Sequence, residues 1–133
     1  MTRHLRSARG FTLIELLVVV SIISILAGLA MAQYKHGVRL AQEAVLKEDL
    51  TRMREGIDQY YADKGQYPPD LNALVTEGYL RQVPKDPFTK SVDTWQTVPS
   101  EPDPANPAAQ PGIYDVKSGS DSTAEDGTKY SDW

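Results

Sequence analysis

Two groups of residues could do chemistry in this chain, and they lie at opposite ends. The first is Arg9-Gly10-Phe11-Thr12-Leu13-Ile14-Glu15, where a lone carboxylate follows a basic stretch into a run of apolar residues. A carboxylate in hydrocarbon costs roughly 2.5–3.5 kcal/mol on insertion scales, so Glu15 needs a positive partner. Neither Lys nor Arg stands within a helical turn on its C-terminal side. A free α-amino group, made by cleavage just upstream and offered by a neighbouring copy, would serve. The second group is acidic: Asp121, Glu125, Asp126 and Asp132, set among Ser118, Gly119, Ser120 and Gly127. Carboxylates and main-chain carbonyls of this kind can hold a hard cation such as Ca²⁺, which takes six to eight oxygens. EF-hand spacing fails, because counting from Asp121 the sixth position is Asp126 and Gly127 comes one place late. By composition the segment reads as a solvated acidic tail.

Other chemistries are excluded. Cysteine is absent, which removes disulfides, thiolate metal sites and cysteine nucleophiles. Only His4 and His36 supply imidazoles, and an apolar segment separates them. Asp and Glu are then the only plausible catalytic groups, with no pair visibly set in a pocket, and an enzyme is not expected. A phosphate-binding Gly-x-x-x-x-Gly-Lys loop is also missing. The 133 residues carry 14 Lys and Arg against 18 Asp and Glu. Three of the basic residues, Arg3, Arg6 and Arg9, fall in residues 1–10, leaving a net charge of −7 for residues 11–133. No nucleic-acid partner is expected of so acidic a chain.

The elements that position these groups follow from periodicity. Phe11 to Ala32 contains Glu15 as its sole ionisable residue. As a helix it spans roughly 33 Å, enough for a hydrocarbon core of about 30 Å. The preceding arginines favour a cytoplasmic N-terminus, so the sequence predicts a single-pass inner-membrane protein. Ala30-Met31-Ala32 offers a rival, a signal-peptidase site that would release a soluble protein starting at Gln33. The apolar run exceeds the 7–15 residues of a signal core, and Glu15 then goes unexplained. Beyond the membrane, Leu46, Leu50, Met53, Ile57 and Tyr60 form one apolar helical stripe. No proline interrupts Phe11 to Tyr67, and Gly65 is a natural stop before Tyr67-Pro68-Pro69. A short helix with Leu71, Leu74 and Val75 on its apolar face comes next, then the rigid Val83-Pro84-Lys85-Asp86-Pro87-Phe88. Ser91–Val98 and Ile113–Lys117 are strand candidates. Between them five prolines in residues 99–111 predict an exposed, polyproline-like excursion.

The N-terminal motif resembles the type IV prepilin signal: a basic leader ending in Gly, then Phe, then Glu four residues on. The order GQYP, short helix, GYL and PKDPF is similar to the major pseudopilins (protein G) of type II secretion systems. The resemblance implies an α+β, pilin-like fold, with a long N-terminal helix packed on a small antiparallel sheet of two to four strands and a C-terminal acidic loop. It divides the chain into a cleaved leader (1–10), a transmembrane or filament-core helix (11–34) and a periplasmic domain (35–133). That domain comprises an amphipathic helix (35–64), loops and a short sheet (65–117) and the acidic loop (118–133).

It further implies that prepilin peptidase cuts after Gly10 and methylates the Phe11 amine. Glu15 would then pair with that amine on an adjacent subunit in a helical homopolymer. Minor pseudopilins, an inner-membrane assembly platform and, before assembly, membrane lipid are the other partners implied. A Ca²⁺ site is implied too, with Asp121, Asp126 and the Ser118 carbonyl as ligands, Glu125 or Asp132 as alternates, and Trp133 as closing aromatic. A cysteine-free type IV pilin for adhesion, motility or DNA uptake is the alternative reading. So, from another class, is a cleaved, soluble, calcium-binding secreted protein. Three departures from the family pattern stand out. Ala32 occupies the region where many relatives have a kinking proline, Thr89-Lys90 follows Pro87-Phe88 where relatives carry a glycine, and the acidic loop is short.

Overall fold

The computed structural model describes residues 9–108 and 110–133; the leader residues Arg3, His4 and Arg6 lie outside them. The described elements are α1 (Leu13–Lys64), α2 (Leu71–Thr76), β1 (Gln96–Pro99), β2 (Ile113–Lys117) and a 3-10 turn, Tyr130–Asp132. They fall into two units that divide at Arg39 and Leu40.

The first unit is helical from Leu13 onward, with its apolar side chains exposed throughout. It is long and apolar enough to cross a membrane. Inside this stretch the hydroxyls of Ser21 and Ser24 donate to the carbonyls of Leu17 and Val20, at 2.7 and 2.8 Å. Polar groups in an apolar segment are satisfied in this way without a neighbour. Helical conformation runs unbroken through Gly28, Ala32 and Gly37. Lacking a proline, the chain keeps every backbone donor of this stretch.

The second unit has one core. The stripe Leu46, Leu50, Met53, Ile57 and Tyr60 is buried, together with Leu74 of α2, Trp95, Ile113 and Val116 of β2, Ala124 and Tyr130. α1 ends at Lys64, and Gly65 takes the left-handed φ of +68° that closes a helix. Asp70 caps α2 by accepting from the Ala73 amide at 2.7 Å.

The sheet is small. β1 and β2 pair antiparallel with Thr97 opposite Val116, and an irregularity at Val98/Pro99 places Pro99 opposite Ile113. Thr123 and Lys129 add an isolated antiparallel bridge within the acidic loop. The expected α+β architecture is therefore present, with two strands among the described residues. β1 begins at Gln96 rather than Ser91, because tertiary contacts claim the residues before it. The Thr89 and Thr94 hydroxyls hydrogen-bond each other, and the indole of buried Trp95 donates to the Pro84 carbonyl at 2.7 Å. Gly119 abuts β1's entry so closely that a Cβ there would lie 2.0 Å from the Thr94 carbonyl oxygen.

Candidate functional site

The N-terminal motif lies immediately outside α1. Residues 9–12 are non-helical, and Phe11 is 90% exposed. The Gly10–Phe11 bond is thus presented in irregular, accessible chain, the form in which a peptide bond can be cut. Thr12 and Glu15 make a reciprocal capping box: the Glu15 amide donates to Thr12 Oγ1 at 3.2 Å, and the Thr12 amide donates to Glu15 Oε2 at 3.3 Å. This sets the helix start at Leu13 instead of Phe11. The Thr12-x-x-Glu15 spacing is a legible sequence signal that the reading of Glu15 as a membrane anomaly passed over. One weak local bond leaves most of the carboxylate's accepting capacity open, since an ionised carboxylate has about four lone-pair sites.

The C-terminal acids lie at the surface. Asp121, Glu125, Asp126 and Asp132 are all exposed. Among the described residues no three acidic or histidine side chains are grouped so as to hold a metal. Asp126 Oδ1 accepts from the Thr128 amide at 2.9 Å and from its hydroxyl at 2.6 Å. These two bonds, ahead of the charge of Lys47, hold the Asp126 carboxyl below the usual carboxylate range. Ser118 is fully buried, its hydroxyl donating to Asp86 Oδ2 and accepting from the Ser120 amide.

Side chains from elsewhere in the second unit also hold this loop. Tyr130 is fully buried and stacks on Phe88, with centroids 3.9 Å apart, while its hydroxyl donates to Glu43 Oε1 at 2.7 Å. Trp133 meets Tyr130 edge-on at 5.0 Å, and its indole donates to Thr128 Oγ1 at 2.8 Å. From α1, the Lys47 ammonium sits 4.8 Å from the Trp133 ring centroid. Arg54 donates to Asp115 at 2.7 Å, to the Val116 carbonyl at 3.0 Å and to the Trp133 carbonyl at 2.7 Å.

Asp86 is the organising residue that sequence reasoning missed. It is fully buried, accepts from the Phe88 amide at 2.9 Å and from Ser118, and fastens the Pro-rich loop to the end of β2. Its Asp-Pro setting was a turn signal, but burial could not be read from the sequence. The Lys90 amide closes the same loop on the Asp86 carbonyl at 2.7 Å, with Lys90 at φ 56°. The left-handed geometry is present although a lysine, not a glycine, occupies it.

Comparison with known proteins bears on both ends of the chain. Residues 5–31 match the family described as "Prokaryotic N-terminal methylation motif". The type II secretion system core protein G of Klebsiella michiganensis is 31% identical over 99 residues, covering 62% of this chain and 70% of that protein. The core protein G of Pseudomonas aeruginosa is 35% identical over the same shares. The fimbrial protein EcpC of Eikenella corrodens is 39% identical over 80 residues, 56% of this chain and 52% of that protein. No solved structure matches significantly.

Proposed function

This chain belongs to the type II secretion system core protein G family, and on that premise we propose that it is a structural, non-catalytic pseudopilus subunit, made as a membrane-anchored precursor. Prepilin peptidase cuts between Gly10 and Phe11 and methylates the new amine. The apolar half of α1 holds the subunit in the inner membrane, with the leader cytoplasmic and residues 35–133 periplasmic. On assembly the same half passes from lipid into a filament core shared with other copies, and minor pseudopilins and an inner-membrane platform direct the process. Export of proteins across the outer membrane is the work of the assembled filament, driven by a separate ATPase.

The observation that carries this reading is the N-terminal constellation. An exposed, non-helical Gly10–Phe11 bond stands just before the apolar part of α1, whose one acid, Glu15, lies four residues after Phe11. In a filament core Glu15 would be surrounded by apolar side chains, where an unpaired carboxylate is costly. The Phe11 amine of an adjacent copy is the cation that a register-setting pair requires. Nothing in this arrangement needs the Thr12 bond to break, because the second carboxylate oxygen remains for the amine.

The test is the mature N-terminus, read by intact mass and peptide sequencing of protein from native membranes. A chain starting at Phe11 with one added methyl is the expected result. A chain starting at Gln33 would remove anchor and Glu15 together and end the proposal. Glu15→Gln should leave membrane insertion intact and abolish filament formation. The likeness to EcpC favours a pilin as the second reading. Loss of exoprotein release on gene deletion, with surface motility retained, separates the two.

A further inference from the structure

A loop rich in acids and poor in apolar residues ordinarily needs a cross-link, and this chain has no cysteine to supply one. Its acidic loop is nevertheless bonded from end to end. Ser118 is tied to Asp86, the Ala124 amide to the Thr128 carbonyl at 2.7 Å, and the Tyr130 amide to the Ser122 carbonyl at 3.1 Å. Asp126, Thr128 and Trp133 then form a continuous relay from carboxylate to hydroxyl to indole. The positive charge beside this relay comes from α1. Lys47 lies over the Trp133 ring, Arg54 grips the Trp133 carbonyl, and Lys47, Arg54, Asp126, Thr128 and Trp133 line one hollow.

We propose that this chain closes its C-terminal loop with the ammonium of Lys47 and the guanidinium of Arg54, so that the loop folds without a divalent cation. The inference concerns loop closure alone and stands or falls separately from the filament reading. Two physical arguments support it. An ammonium in the same hollow as Asp126 repels a divalent ion approaching that carboxylate. Thr128 fills both accepting positions of Asp126 Oδ1, which leaves an entering ion only Oδ2 of that carboxylate and denies it a bidentate grip. A side-chain cation on a helix that is already part of the core has no such competition, and its charge cannot be stripped by a chelator.

The experiment uses the full chain purified in detergent, with thermal unfolding followed by tryptophan fluorescence in chelator and in millimolar CaCl₂. Terbium serves as a luminescent stand-in for Ca²⁺, because indole excitation at Trp133 would sensitise an ion held beside it. An ion that binds the folded state must raise the unfolding midpoint. The expected outcome is the same midpoint in both buffers and no tryptophan-sensitised terbium emission. A rise of about 4 °C or more with calcium, or terbium emission that Asp126→Asn abolishes, would overturn the proposal. Lys47→Met keeps the stem on the Trp133 ring and removes the charge. It should lower the midpoint and speed proteolysis of the loop, with no rescue by calcium. An unchanged midpoint for Lys47→Met would show that the ammonium is not what closes the loop.

Discussion

Replacing Asp86 by Ala is the sharpest test of how the second unit is held together. The side chain is 0% exposed and serves two loops through its two oxygens. Oδ1 accepts the Phe88 amide at 2.9 Å, and Oδ2 accepts the hydroxyl of Ser118, which is equally buried. Truncation leaves both donors without their partner in a site closed to water, at about 1–3 kcal/mol each. Together the loss should be about 2–6 kcal/mol. For a domain of this size that corresponds to a fall in melting temperature on the order of 10–25 °C. Asp86→Asn separates hydrogen bonding from shape. Its one oxygen can keep the Phe88 amide, while its amide group faces a Ser118 hydroxyl that already accepts from Ser120 at 3.2 Å. Asn should therefore recover about half of the loss. The assay is thermal and urea unfolding of the full chain in detergent, read by fluorescence of Trp95 and Trp133. Trp95 is bonded to Pro84, two residues before Asp86, and so reports on the loop directly. A loss below about 1 kcal/mol for Asp86→Ala would refute the assignment, as would Asn and Ala variants of equal stability.

Gly119→Ala would drive a Cβ to within 2.0 Å of the Thr94 carbonyl oxygen, a backbone atom that cannot swing aside. It should separate the loop from β1 and cost at least about 3 kcal/mol by overpacking, whereas Gly37→Ala, with open space around it, should stabilise α1 by about 0.8–1 kcal/mol; urea midpoints of the two variants check both. Lys90 is exposed and holds φ 56°, a conformation that costs a residue with a Cβ about 1–2 kcal/mol, so Lys90→Gly should raise stability by about 0.5–1 kcal/mol after the added chain entropy. Arg54→Met removes three hydrogen bonds to β2 and Trp133 while keeping the stem; a loss of about 1.5–3 kcal/mol is expected, with earlier proteolysis at the C-terminal loop as the local readout. Asp126 is held below the usual carboxylate range by Thr128. A carboxyl depressed on folding lends stability above its unfolded pKa of about 3.9 and withdraws it as pH falls through the lower folded value. The loop should therefore keep its protease resistance from neutral pH down to about pH 4 and lose it below, and Asp126→Asn should flatten that acid limb.

Much of this protein was legible without coordinates, because the signals concerned are local. Periodicity alone decides that Leu46, Leu50, Met53, Ile57 and Tyr60 share one helix face, and they are buried together. Gly65 marked the end of α1 by its freedom at positive φ, and the run from Leu16 to Tyr34 carries no charge whatever the fold. Gly10, Phe11 and Glu15 were identifiable because a motif read by another protein must be written in consecutive residues. The capping box of Thr12 and Glu15 belonged to the same class of signal.

What the tertiary structure decided are the contacts between residues distant in sequence. Composition made the acidic segment a tail, since it cannot weigh Lys47, Arg54 or Asp86, which lie far upstream. Packing brings Glu43 to Tyr130 and Asp86 to Ser118. It also withdraws Ser91–Trp95 from the strand that their β-propensity favours, because a buried indole must find an acceptor and the Pro84 carbonyl supplies it. Burial is a property of the assembled core, and the meaning of a carboxylate changes with it. In the sequence Asp86 and Asp126 are equivalent acids; in the fold one is sealed among donors and pins two loops, and the other stays in water and shapes a turn.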